Sequence, residues 1–415
     1  MSLLNLGNFL DSMGKNSMQK RIFIFLISVW IVSIPFKNAV YQISVSLVIL
    51  YFLIYIAMYR NFAPLRINLQ KCVFPTVGFV LMIISMVISN LLNPEFLADK
   101  SWHVTAMFVV RYTLVFIILA YFYSLGFFSK KEIILAVFAS FLLLSFTAIF
   151  QICTNPSGMF NPRVGLTGSL GHHNALGLSM GLAVSSAIAL FSCCKKISLV
   201  LVLYFAFFMI FSFSRSAWVA SFVAGVCFII LNFKNFTISD KKILFLFMLV
   251  LIALLAVLFI EFDSFKERFD TLLAGDSSNR YLIWDYSWHR ILEHPIFGWG
   301  IDSFRNLPGS VVHISEDMNS THNMILEILI YTGIVGFIVS LFTIVCIFTR
   351  LLKNVALLVL GIHFLVVTQF DFSVYATKEL LSYITILVFL AYADDFKSVK
   401  FKEKSQFSKD AIGSM

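Results

Sequence analysis

Charge is the first thing this chain lacks. Only 13% of its 415 residues are Asp, Glu, Lys or Arg, while 60% are hydrophobic and the mean hydropathy is +0.90. A soluble domain carries roughly a quarter charged residues, so the composition excludes a chain made of soluble domains. No CxxC pair occurs among the six cysteines, and all six lie in or beside apolar runs. They read as small packing residues, not as a disulfide or metal framework. The first apolar run, RIFIFLISVWIVSIPF, has no A-x-A site after it and is expected to be a retained first span. A P-loop and a G-x-S-x-G elbow are both absent. No external group of carboxylate, His or Cys has metal-ligand spacing.

What the chain has is apolar length. Runs of about 18 or more residues recur throughout, each able to cross ~30 Å of hydrocarbon. They are too long for barrel strands, so they are helices. The expected fold is an all-α polytopic membrane protein of about twelve spans: 21–36, 39–59, 72–92, 104–124, 132–153, 174–192, 197–213, 216–233, 243–260, 323–348, 355–370 and 379–394. Residues 1–20 and 395–415 are expected to be tails on either side of a transmembrane domain over 21–394.

The linkers divide the basic residues unequally. Twenty Lys and Arg fall on the side that holds both termini, ten on the other, and Arg111 lies inside the fourth span. The richer side is cytoplasmic by the positive-inside rule. The net charge of +9 is therefore mainly membrane anchoring. No basic, aromatic-interleaved soluble surface exists to carry nucleic-acid binding.

Two external linkers are long. Residues 154–173 read TNPSGMFNPRVGLTGSLGHH, and residues 261–322 form a loop of about sixty residues. The second contains YLIWDYSWHRILEHPIFGWG, whose aromatic content predicts an ordered, partly helical element at the membrane surface. The glycine spacing of GHHNALGLSMGLA suits close helix packing.

Several polar residues on the external side need a reason. Arg215 sits between two apolar runs and either snorkels or binds an anion. Arg111 lies about two turns inside its span, where charge is costly. It either pairs with Glu327 or Asp371 or faces a watery cavity. Arg280 opens the aromatic segment; Arg163, His172 and His173 lie in the shorter loop, where a turn or helix cap accounts for them equally well. His322 stands at the mouth of the tenth span, where Ser320 or Thr321 could cap the helix. An imidazole with its ordinary pKa of ~6.5 accepts a proton near neutrality. Asn323 and Glu327, four residues apart on one helix, could support each other.

One reaction suits arginines and a histidine at a membrane mouth. Arginine forks bind phosphate bidentately. Cleaving a sugar from a lipid diphosphate builds charge on the diphosphate, which cations stabilise in the transition state. The attacking hydroxyl benefits from a base. A transporter is the contrasting reading, with Arg111 in a substrate path; it would be supported by inverted repeats, and the two halves show no internal similarity.

FSFSRSAW, SSNRYLIWDYSWHRILEHPIFGWGIDSF and THNMILEILIYTGIVGF together resemble the O-antigen ligase and O-antigen polymerase superfamily. The marks are Arg280 with Trp284, the turn from His294 to Gly300, His322 with Asn323, Glu327, and Gly333 with Gly336, over roughly residues 205 to 340. The resemblance implies a GT-C-like, metal-independent glycosyltransferase of the bacterial inner membrane, without cofactor, its active site facing the periplasm. It implies an undecaprenyl-diphosphate-linked glycan as donor. The acceptor is lipid A–core in a ligase or another lipid-linked repeat in a polymerase; the short SRSAW turn and the single dominant loop look more like the ligases. It implies His322 as base and Arg215 and Arg280 as diphosphate ligands, with Arg111 and Arg163 as further candidates.

Overall fold

The computed structural model describes residues 3–36, 38–161, 164–273, 280–309, 320–375 and 377–397. All regular structure among them is helical. In chain order the helices are α1 (Leu3–Ser33), α2 (Asn38–Tyr59), α3 (Ala63–Lys71), α4 (Val73–Leu92), α5 (Ser101–Phe108), α6 (Leu114–Ser124), α7 (Lys130–Thr154), α8 (His173–Ala189), α9 (Lys195–Phe211), α10 (Arg215–Asn232), α11 (Ile238–Glu261), α12 (Asp263–Leu273), α13 (Arg280–Glu293), α14 (Met324–Leu351), α15 (Val355–Val367) and α16 (Lys378–Lys397). A π-helical turn, Val109–Thr113, joins α5 to α6. Eight of these segments are long and apolar enough to cross a membrane. With α1, α9, α15 and α16 they coincide with the twelve expected spans. The protein is an all-α, multi-pass membrane protein.

The differences lie outside the spans. Helix α1 begins at Leu3, so the segment read as an N-terminal tail extends the first span as helix; it contains no proline to stop it. At the other end α16 runs to Lys397, and residues 398–415 lie outside the described residues. Within the long loop, α12 and α13 supply the expected ordered element.

Lipid gives helices no hydrophobic reason to associate, so close packing must do it. Helix α8 shows how: it is buried from Leu176 to Ala187 among α9, α10 and α15. Its small residues admit the neighbours. A methyl on Gly181 would meet the His363 ring and the Ser221 hydroxyl at 3.0 Å. The outward surface is apolar instead, as at Phe150 and Phe222.

One span is broken. At Gly333 the backbone of α14 leaves the helix (φ 63°). The groups freed there bond to the loop after α13. Trp299 and Gly300 donate their amides to the carbonyls of Ile330 (2.7 Å) and Tyr331 (3.2 Å), and the amides of Ile334 and Val335 donate to Pro295 (2.8 Å) and Ile296 (3.2 Å). Four backbone groups that lipid could not satisfy are thus paired. Polar residues late in α4 clamp the joint. The Ser89 hydroxyl donates to Tyr331 O (2.6 Å), the Asn93 amide to Gly298 O (3.0 Å), and Asn90 Oδ1 accepts from Ile301 N (2.7 Å). The HPIFGWG turn is therefore a structural insert that fixes the loop on the bundle.

Candidate active site

Three helix starts carry the polar residues that the sequence singled out. Arg215 is the first residue of α10, Arg280 the first of α13, and His322 immediately precedes Asn323, the N-cap of α14. Helix N-termini carry partial positive charge from unpaired amides and favour anions. The arginines add full charges to two of them.

The backbone at His322 is held from both sides. Its φ is +50°, a left-handed conformation that few non-glycine residues adopt. Before it, the Thr321 carbonyl accepts the indole N–H of Trp284 from α13 (3.1 Å). After it, Asn323 Nδ2 donates to Gln369 O (3.2 Å) and Met324 N donates to Thr368 O (2.9 Å). Strain of this kind persists only where the surroundings over-determine it. The result is a histidine fixed between α13 and the turn after α15, its side chain still 23% exposed and open to a ligand.

That turn supplies Asp371, a residue the sequence reading offered only as a partner for Arg111. Asp371 is buried, with 5% exposure. Its Oδ1 lies 3.3 Å from His322 Nδ1 and its Oδ2 lies 4.0 Å from Arg280 Nη2. Oδ1 also accepts the Phe372 amide (3.1 Å). Burial opposes ionisation of this carboxyl. The hydrogen bond from His322 and the positive charges of His322 and Arg280 outweigh it, and the pKa is held below the usual carboxylate value. An ionised carboxylate only accepts, so whenever His322 is in its neutral form Nδ1 carries the proton and Nε2 keeps its lone pair.

Arg280 is itself largely buried. Burial pulls its pKa down, Asp371 pushes it back up, and the nearby Arg215 pulls it down again. Arg215 is thus within electrostatic range of Arg280. Asp371 is the carboxylate that Arg280 faces. Arg215 is positioned by the turn before α10, against which the shorter external loop packs. Leu166 N donates to Phe211 O (2.9 Å), and His173 Nδ1 lies 2.9 Å from Ser212 O.

The other sequence candidates fall in different places. Asn323 caps α14, its Oδ1 accepting from Ile325 N (3.0 Å) and Leu326 N (3.1 Å), in place of Ser320 or Thr321. The expected mutual support of the Asn323 and Glu327 side chains does not form. Glu327 is buried and turns its Oε2 to the Val374 amide (2.8 Å), bracing the turn that carries Asp371. Arg111 sits in the π-helical turn and stacks on the Tyr41 ring, 5.6 Å from its centroid. Among the described residues it pairs with neither Glu327 nor Asp371, because those carboxylates are engaged by Val374, His322 and Arg280. Arg163 lies outside the described residues. His172 serves as the N-cap of α8, Nδ1 accepting from Asn174 N (3.2 Å).

The segment that builds most of this site has a relative among known families. Residues 199–341 match the family described as O-antigen ligase. The match spans α9 to α14 and includes Arg215, Arg280 and His322. It supports the O-antigen ligase and polymerase superfamily, the one that the sequence motifs resemble. No curated protein matches the chain.

Proposed function

We propose that this protein is an O-antigen ligase of the bacterial inner membrane. It transfers undecaprenyl-diphosphate-linked O-antigen polysaccharide to the lipid A–core in the periplasmic leaflet. The carrying observation is the His322–Asp371–Arg280 contact; His322 and Arg280, like Arg215, belong to the family-matched segment, and Asp371 lies beyond it.

The chemistry follows from that arrangement. An acceptor sugar hydroxyl attacks the anomeric carbon of the donor. Its proton goes to His322 Nε2, and the bond from the anomeric carbon to the diphosphate oxygen breaks with its electron pair. Arg215 and Arg280 bind the diphosphate and gain strength as its charge rises, so they favour the transition state over the ground state. Asp371 holds the imidazole tautomer and stabilises the imidazolium that forms, as the aspartate does in hydrolase triads. In-line displacement inverts the anomeric centre. A diphosphate leaves without strong acid assistance, and the mechanism needs no metal ion. Arg111 and Arg163 are further candidate ligands of the donor diphosphate.

A polymerase joining lipid-linked repeats is the second reading. It is favoured by the loop over 154–173, whose Leu166 and His173 bond to the turn before Arg215 and so give the site a second external loop. A strain lacking the protein separates the two. Core lipid without O-antigen, and long polymer stranded on the carrier, is the ligase result. Core lipid bearing a single repeat is the polymerase result, and an unchanged glycan profile refutes both.

A further inference from the structure

Arg215 follows a strained turn. Phe213, two residues before it, is buried with φ +53°, a left-handed backbone that few non-glycine residues adopt. The turn also closes α9, and the last carbonyls of a helix have no partner within it. Two of them are met from the shorter external loop and the start of α8. Leu166 N donates to Phe211 O (2.9 Å), and His173 Nδ1 lies 2.9 Å from Ser212 O. A carbonyl only accepts, so Nδ1 of His173 carries a proton at this bond. The ring also stacks on that of His172, 5.0 Å between centroids.

Helix α8 comes near enough for this bond because of Gly177, one turn after His173. A methyl on Gly177 would collide with the Ser214 side chain and sit 2.8 Å from the Ser212 hydroxyl oxygen. The first turns of α8 therefore bear on Ser212 and Ser214, the two residues that flank Phe213. Phe265 of α12 packs on Phe213 as well, 4.9 Å between ring centroids. Backbone strain of this kind persists only where the surroundings over-determine it, and it gathers at functional sites. The residue that leaves this turn is Arg215, half-buried and within electrostatic range of Arg280.

We propose that His173 is a positioning residue for glycosyl transfer: its Nδ1–H bond to the Ser212 carbonyl sets the direction in which Arg215 presents its guanidinium to the donor diphosphate. The inference rests on the glycosyl-transfer reading above, for ligase and polymerase alike. A guanidinium binds phosphate through N–H groups of fixed direction, so it depends on the backbone that carries it. Ser212 is three residues before Arg215, between the end of α9 and the start of α10. Losing the bond leaves its carbonyl unpaired and lets the strained turn relax. A misplacement of about 1 Å costs up to roughly a hundredfold in rate. The loss falls mainly on kcat, because the contact strengthens as charge builds on the leaving diphosphate. The two histidines of GHHN thus divide the work: His172 caps α8, and His173 reaches across to the turn before α10.

The test uses the purified full-length protein in proteoliposomes, with undecaprenyl-diphosphate-linked O-antigen as donor and lipid A–core as acceptor. Both transfer to the core and elongation of the donor are scored. His173→Asn and His173→Gln form a pair of similar size and polarity. The asparagine amide places an N–H where Nδ1 stands, and the glutamine amide where Nε2 stands. We expect His173→Asn to keep kcat within about twofold of wild type. His173→Gln should lose about tenfold to a hundredfold in kcat, with donor KM little changed. In an Arg215→Lys background the same His173→Gln change should cost less than about twofold, because a lysine is a point charge on a flexible stem and depends little on the direction of the turn. His172→Asn keeps a good helix cap and should behave as wild type. Thermal transitions confirm that the pair folds alike. Equal kcat for His173→Asn and His173→Gln would overturn the proposal. So would a lost asparagine variant beside an active glutamine one, which would put Nε2 on the substrate. An undiminished loss in the Arg215→Lys background would overturn it too, because His173 would then act independently of Arg215. A wild type that neither transfers nor elongates glycan would refute glycosyl transfer, and this proposal with it; an active wild type with any of the other results refutes the positioning role alone.

Discussion

Nδ1 of His322 lies 3.3 Å from Oδ1 of Asp371, across 49 residues of sequence. The relationship assigns each nitrogen of the ring a job. With its proton directed at a buried carboxylate, the imidazole presents Nε2 to whatever occupies the site. Asp371→Asn removes the negative charge and can turn an amide N–H toward Nδ1, selecting the wrong tautomer. We expect kcat to fall by about a hundredfold to ten-thousandfold, the usual range of acid–base assistance, with KM for the donor little changed. Steady-state transfer assays in proteoliposomes measure this. A variant with wild-type kcat would remove Asp371 from the mechanism.

His322→Ala should abolish transfer while leaving the protein folded. The backbone there is fixed by Trp284, Asn323 and Met324, not by the imidazole alone. The left-handed φ of +50° costs alanine roughly the same 1–2 kcal/mol that histidine already bears, so the change adds little strain. Monodisperse elution and a near-normal thermal transition alongside no product is the expected pair of results. A well-folded variant with substantial activity would exclude His322 as the base.

Arg280→Lys tests the fork. Lysine keeps a charge near Asp371, so that ion pair can survive. It cannot form two parallel hydrogen bonds to a phosphate. Losing one charge-assisted bond predicts a fall in kcat/KM of roughly tenfold to a hundredfold. Because the interaction grows with leaving-group charge, much of the loss should appear in kcat. Unchanged kinetics would make Arg280 a partner of Asp371 and nothing more.

The parts of this architecture that showed in the sequence are those with a one-dimensional signal. Twelve apolar runs became twelve helical spans because a helix satisfies most of its backbone within itself. Arg215, Arg280 and His322 stood out because charge or polarity at a span boundary calls for a reason. Asp371 did not stand out. It follows α15 in an ordinary turn, and its significance is its approach to His322, 49 residues away. A lone acid among the aromatic residues of QFDFSVY was the only available signal. The break in α14 was hidden for a related reason. ILEILIYTGIVGF reads as continuous apolar helix, and the backbone partners that permit a break at Gly333 lie in the preceding loop.

That joint yields a stability prediction. Gly298 has φ +68°, and a methyl there would sit 2.5 Å from Ile330 O and 2.7 Å from Thr332 N. Gly309 has a similar φ of +62° but nothing within 4 Å of a methyl. Both Gly→Ala changes bear the left-handed penalty of about 1–2 kcal/mol. Only Gly298→Ala also drives a methyl into the backbone of α14. It should lower thermal stability clearly more than Gly309→Ala, and should reduce activity by displacing the loop that carries α13. Equal thermal shifts for the two variants would mean that the HPIFGWG turn is loosely seated.

Acid offers a last test, of the charge on Asp371. Its folded-state pKa is lowered by His322 and Arg280 despite burial. In the unfolded chain it returns to the ordinary value near 3.8. Below that value the unfolded chain takes up a proton that the folded protein refuses, so this contribution to stability is present above the ordinary carboxylate pKa and drains away as pH falls through the folded one. Wild type should therefore lose thermal stability more steeply than Asp371→Asn below about pH 4. Above that pH, the gap between them should be constant with respect to this group. Parallel curves down to the acid limit would mean that Asp371 is not held ionised by its neighbours, and the argument for an Nδ1-protonated His322 would lose its basis.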